Sequence, residues 1–261
     1  MALKKMVKCR AKLSLWNHVM VTGGVALLIA ACGDDNSSDN PSDNGITSES
    51  DIIEAVLTDS RDGRTYRTVT IGSQTWMSEN LNYATIEGSN CYDKDEVYCF
   101  KYGRLYSWAA AMDSVGVWSA NGKDCGFGST CSPTYPVRGV CPSGWHLPTE
   151  AEWNTLFAIV GGQSTAGLQL KSTSGWNSGG NGKDAFGFAA LPAGTGWFEG
   201  DLFYSVDRDS VCSEGNYATF WSVNEIDNHS AYVVTLGYRG GDARLTQYAK
   251  FNGYSVRCLK D

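Results

Sequence analysis

The chain has 261 residues, with 21 Lys and Arg against 28 Asp and Glu for a formal charge of −7 at pH 7, and 42% of it is hydrophobic. The acidic balance argues against a nucleic-acid partner, which calls for basic surface. The apolar fraction is enough to build a core, and thirty glycines point to a loop-rich fold with short strands.

The first twelve residues carry Lys4, Lys5, Lys8, Arg10 and Lys12 and no acid. An apolar stretch, Val19–Ala31, follows. Its 13 residues suit the hydrophobic region of a signal peptide and fall short of the roughly 20 that a bilayer span needs. It ends Ile29-Ala30-Ala31-Cys32, the pattern that lipoprotein signal peptidase cleaves before the cysteine. Ordinary cleavage after Ala31 is the competing reading. Against it, Cys32 sits at the cut itself and a polar tether begins at once. Residues 1–31 are therefore read as a lipoprotein signal peptide and Cys32 as the lipidated N-terminus, anchored firmly by several acyl chains. Without the leader, 16 basic residues face 28 acidic ones, a formal charge of −12.

Residues 32–51 read as an acidic, disordered tether of Asp, Asn, Ser and Gly, with almost nothing to bury. The expected location is the bacterial cell envelope, at the outer membrane. Acidic residues after the lipidated cysteine serve some bacterial groups as a surface-export signal, so both a periplasmic and a surface-facing position stay open.

Folded sequence is expected over 52–261. Val56–Thr58, the turn Asp59–Gly63 and the β-branched run Thr65–Ile71 predict strand, turn and strand. Asp59 and Asp62 have calcium-ligand chemistry, but no alternating oxygen ladder with a closing Glu follows, so turn formation is the better reading. Leu105, Trp108, Ala109 and Met112 recur at helical spacing and predict a helix between Arg104 and Asp113. Thr149 with Glu152 forms a capping box before Trp153, Leu156, Phe157 and Val160, and Gly161-Gly162 stops that second helix. Glu150 and Glu152 lie in its first turn, where the helix dipole favours carboxylates whatever the function. The glycine-rich remainder places aromatics at intervals: Trp176, Phe186 and Phe188, Trp197 and Phe198, Phe220 and Trp221. Asn-Gly-Lys-Asp occurs at 121–124 and again at 181–184, too short a repeat to imply duplication. Asn252–Cys258 reads as a turn and a short strand.

Beyond the leader and Cys32, seven cysteines remain, and in an exported chain they read as a disulfide framework. Close spacing favours Cys91–Cys99 and Cys125–Cys131. Cys141 and Cys258 are the preferred third pair, which leaves Cys212 odd. A zinc site would need tightly clustered ligands, and past the leader only His146 and His229 are present, so no metal or other cofactor is expected.

Several blocks resemble the Fibrobacter succinogenes major paralogous domain. They are Asp62-Gly63 with Tyr66, Val69, Ile71-Gly72, Gln74, Trp76-Met77 and Glu79-Asn80-Leu81, then Tyr102–Trp108 and Cys141–Thr149. Phe186-Gly187-Phe188, Ala190–Gly194 and Ser255–Cys258 continue the likeness in order over about 56–261. That family brings no assigned activity or catalytic residues. Leu147–Trp153 and Val256-Arg257-Cys258 are more distantly similar to the formylglycine-generating (sulfatase-modifying) domain, a variant of the C-type lectin fold. This second likeness implies a compact α+β domain of twisted antiparallel strands, two main helices and long disulfide-braced loops. The paired active-site cysteines of that enzyme family have no match, and Trp221–Glu225 only loosely resembles a lectin calcium motif.

Export, a lipid anchor, a tether and abundant aromatics suit a non-catalytic surface binding module. Flat rings stack on sugars, so a glycan or cell-wall polysaccharide is the expected ligand, with Trp176, Trp197, Phe198 and Tyr204 as candidate stacking residues. Core packing is the competing role for each. A structural or assembly protein of the envelope, binding other proteins, is the alternative. No Ser-His-Asp or zinc-protease signature supports an enzyme. Two catalytic routes stay open: paired carboxylates, whose separation the sequence does not show, and a thiol at Cys212.

Overall fold

The structure is a computed structural model that describes residues 53–206 and 212–261. The leader, Cys32 and the tether lie outside the described residues. The fold is α+β, built from short antiparallel strands, short helices and loops tied by disulfides.

Strands β1 (Ile53–Thr58) and β2 (Thr65–Ile71) pair antiparallel around the expected turn. Gly63 supplies the positive φ there. Buried Asp59 is engaged by Arg61, whose Nε and Nη2 donate to its two oxygens at 2.8 and 2.6 Å. The guanidinium lies 3.9 Å from the centroid of Tyr83. Strand β3 (Gln74–Met77) returns from β2, and the sheet runs β1-β2-β3-β13-β6, where β6 is Trp145–His146 and β13 is Leu259–Lys260. The end of the chain is thus threaded between two earlier strands.

A second sheet, in the order β11-β10-β9, is formed by Ala243–Ala249, Ser230–Gly237 and Tyr217–Glu225. Its inner face shares a core with helices α3 (Glu150–Ile159) and α4 (Gln163–Leu170). Aromatic rings fill the centre: Trp76 and Trp153 lie 4.7 Å apart, and Trp153 and Phe220 5.7 Å. Thr149 and Glu152 form the expected capping box at the start of α3. Helix α4 goes beyond the sequence expectation, and its Gly167 has a reason. The backbone of Gly241 and Asp242 crosses so closely that a Cβ would collide with it.

The helix expected over 104–113 is shorter than its periodicity suggests. Leu105–Tyr106 form strand β5, paired with β4 (Ser89–Asn90), and only Trp108–Met112 is helical (α2), capped by the Ser107 hydroxyl. A further helix, α1 (Glu96–Tyr102), is capped by Asp95 and carries exposed Val97 and Phe100, which blur any apolar stripe. The two Asn-Gly-Lys-Asp copies differ in backbone pairing but share two features. Asp124 and Asp184 are both left-handed, while Gly122 and Gly182 lie flat against the carbonyls of Met112 and Lys171. Among the described residues no helix is long and apolar enough to cross a membrane.

Cys91–Cys99, Cys125–Cys131 and Cys141–Cys258 are bonded as disulfides. Cys212, odd in the sequence reading, is buried, and its carbonyl accepts from the Thr195 hydroxyl at 3.4 Å. The Cys125–Cys131 loop is held from below by Lys250. Its buried ammonium pairs with Glu225 and donates to the carbonyls of Gly126 and Ser129.

Candidate functional site

A third sheet, in the order β12-β7-β8, joins Asn252–Gly253, Gly196–Glu199 and Leu202–Ser205. Strands β7 and β8 form a hairpin whose two-residue turn, Gly200-Asp201, begins with left-handed Gly200. Strand alternation then sorts its side chains. Phe198 and Phe203 face inward onto Tyr92, Tyr102 and Leu105. Trp197 and Tyr204, directly opposite each other across the hairpin, face outward with rings 5.4 Å apart and 15° from parallel. Asn252 stands opposite Trp197 on the other side, so Tyr204, Trp197 and Asn252 form a row across three strands.

A cleft of about 280 Å³ opens beside this row, lined by Asp93, Lys94, Trp197, Phe203, Tyr204 and Ser205. Asp93 and Lys94 belong to the turn Tyr92–Lys94, and both have φ of +56°. Two consecutive non-glycine residues in that region cost about 1–2 kcal/mol each, so the surroundings must hold them. They do so in three ways. Ser205 Oγ accepts from the Asp93 N–H at 2.9 Å, buried Tyr92 donates its hydroxyl to the Val206 carbonyl, and Cys91 is tied to Cys99. Burial pushes the Tyr92 hydroxyl pKa up, so this phenol stays a donor. The turn delivers the Lys94 ammonium to 5.7 Å from the Tyr204 centroid.

The four candidate stacking residues therefore divide. Tyr204 is 38% exposed and Trp197 partly so. Trp176 and Phe198 are core residues, which corrects their candidacy. Trp176 is buried with its Nε1 donating to Ser172 Oγ and the Ala190 carbonyl, under the Lys171 ammonium. Phe198 is buried against Phe203, because it has the opposite strand parity to Trp197. Asp93, Lys94, Ser205 and Asn252 are not legible as a group in the sequence, since they reach the site from segments far apart.

Other residues with reactive chemistry are engaged structurally. Cys91, Glu96 and Cys99 lie close enough to suggest a metal site, but the two sulfurs are bonded to each other. Asn224, from the lectin-like Trp221–Glu225 segment, accepts from the N–H of Glu150 and helps seat α3. His146 lies between two carboxylates: Nδ1 is 2.7 Å from Asp261 and Nε2 3.1 Å from Glu152. Burial alone would lower the imidazole pKa, but the hydrogen bonds to Glu152 and Asp261 outweigh it and raise the value above 6.5. Burial works against the Glu152 charge as well, yet its bonds to His146 and Thr149 hold the carboxyl below 4.5.

The signs decide the pH dependence. Protonated His146 contributes stability that is fully present below 6.5 and fades as pH rises through its folded value. The Glu152 contribution is present above 4.5 and fades as pH falls through its folded value. Both operate between those limits. The stability lost in His146→Gln, measured by urea unfolding across pH, is expected to peak in that window and shrink on the alkaline side. A loss that stays constant into alkali would show that His146 is held as the neutral imidazole.

No curated protein and no solved structure matches the chain. The family profile of the Fibrobacter succinogenes major domain matches residues 69–260, a stretch that holds the hairpin, the 92–94 turn and the closing Ser255–Cys258 segment alike. The chain belongs to the Fibrobacter succinogenes major domain family.

Proposed function

We propose that this chain is an envelope-anchored lipoprotein whose folded domain is a non-catalytic surface binding module for a glycan or cell-wall polysaccharide. On this reading the signal peptide is removed and Cys32 holds the domain at the outer membrane, on its periplasmic or outer face. The domain itself is a C-type-lectin-like variant of the α+β class. The supporting observation is the outward-facing Trp197–Tyr204 pair, set beside a cleft with polar and charged walls. Stacked rings with hydroxyl, carboxylate and ammonium neighbours supply the two contacts that a sugar offers, an apolar ring face and a rim of hydroxyls.

The mature domain is expected to co-sediment with at least one of insoluble cellulose, hemicellulose and peptidoglycan. Trp197→Ala or Tyr204→Ala should weaken that binding by about tenfold, equivalent to roughly 1.4 kcal/mol. Retention of none of these polymers would sink the proposal. A second reading, an assembly protein of the envelope, draws on exposed Val97 and Phe100 of α1, 68% and 90% accessible. It gains if Phe100→Ser abolishes capture of envelope proteins while Trp197→Ala does not.

A further inference from the structure

We infer that the ligand of the hairpin site is an uncharged, extended oligosaccharide that crosses the strands and lies over Tyr204, Trp197 and Asn252. The inference rests on the glycan reading above and adds direction, minimum length and charge to it.

Direction comes from the row. Tyr204 pairs with Trp197 and Trp197 with Asn252, one residue from each of three neighbouring strands, all on the outward face. Strands lie about 4.8 Å apart, so the row spans roughly 10 Å perpendicular to them. That is more than one pyranose ring covers and suits consecutive rings of an extended chain. The composition of the row fits such a ligand at each point. The stacked pair offers its exposed edges and the outer face of Trp197 to sugar rings, and the Asn252 amide at the far end offers an acceptor and donors to hydroxyls. Asn252 is already oriented, since its Nδ2 donates to the Tyr254 hydroxyl at 2.9 Å. At the near end Lys94 is held over Tyr204 and closes the row.

Charge comes from the rim. Glu199 shares the face of Trp197, Asp201 sits in the hairpin turn, and Asp93 lines the cleft. Lys94 is the single cation lining the cleft among the described residues. Among these named groups three carboxylates stand against one ammonium, and the chain as a whole is also negative. A uronate-rich polymer meets repulsion here, whereas a neutral chain does not.

Calorimetry on the mature domain tests each element. The probes are cello-, xylo-, manno- and chito-hexaose, their monosaccharides, oligogalacturonate and chitosan oligomers. At least one neutral hexaose is expected to bind, its monosaccharide to fail as a competitor, and the affinity to change by less than about twofold from low to high salt. Asn252→Ala should weaken binding by about threefold to tenfold, with an unchanged melting temperature as control. Preference for oligogalacturonate or chitosan, with steep salt dependence, would overturn the charge assignment and leave the glycan reading standing. Equal competition by a monosaccharide would overturn the row. Failure of every probe would instead overturn the underlying glycan reading. Length and charge dependence are read on the unmodified protein, so the test survives a variant that folds poorly.

Discussion

Replacing Arg257 with methionine is expected to cost the domain about 3–5 kcal/mol, seen as a large fall in the urea midpoint. Arg257 has no exposed surface and, among the described residues, no carboxylate within bonding distance. Its Nε donates to Asn80 Oδ1 at 2.6 Å, Nη1 to the carbonyls of Met77 and Phe188, and Nη2 to the Ala189 carbonyl at 3.0 Å. The guanidinium also lies 4.6 Å from the Phe188 ring centroid and 5.5 Å from that of Phe220. Burial pulls its pKa down to about 9, which still leaves it charged at neutral pH. Ala189 is left-handed, at φ +50°, a strained setting for a residue with a Cβ and one that the guanidinium helps to hold.

An apolar replacement of matched size is harmless when both partners of a buried pair are replaced together. Around Arg257 the partners are mostly main-chain oxygens and cannot be removed, so methionine strands several buried acceptors at once. Lysine keeps the charge but not the planar fork, and Arg257→Lys should recover less than about half of the loss. A loss under about 1 kcal/mol for Arg257→Met would mean that water reaches those carbonyls and that the guanidinium is not what satisfies them.

Arg257 also marks where the sequence can be read and where it cannot. The β1–β2 hairpin and the α3 capping box depend on residues within a few positions of each other, and both stand out. Helix α4 does not, because Gln163–Leu170 has little apolar periodicity and owes its place to the close passage of Gly241 and Asp242. Leu105 reads as helical because its spacing to Trp108 and Met112 suits a helix. Its pairing with Asn90 is a tertiary fact that overrides the pattern. At the site, parity alone separates Trp197 from Phe198 once Gly200-Asp201 is recognised as a two-residue turn, and that signal is present in the sequence. The arrival of Lys94 and Asn252 is not, since more than a hundred and fifty positions separate them. The environment of Arg257 is equally hidden, although the Ser255–Cys258 block that contains it is one of those that carry the family resemblance.

The same block supports a second large effect. Removing the Cys141–Cys258 disulfide as a double alanine variant is expected to cost about 4–5 kcal/mol, and removing Cys125–Cys131 about half as much. The ordering follows from chain entropy. The first bond joins residues 117 apart and the second residues six apart, and the entropy that a cross-link removes from the unfolded chain grows with the logarithm of the loop. Both cysteines of the long bridge are fully buried, so alanine also leaves a small void.

The native state adds a reason for the difference. Strand β13 has two residues, too few to hold the sheet position between β3 and β6 by its own ladder bonds. Cys258 fixes it from one side, with its carbonyl accepting from the Met77 N–H at 3.0 Å, and the His146–Asp261 contact fixes it from the other. With the bridge gone, the His146–Asp261 contact carries a larger share of holding the chain end. Loss of the long bridge should therefore make stability more sensitive to alkaline pH, whereas loss of the Cys125–Cys131 bridge should leave the pH profile unchanged. Equal losses from the two variants would show that loop length does not govern this framework and that local packing around each bridge does.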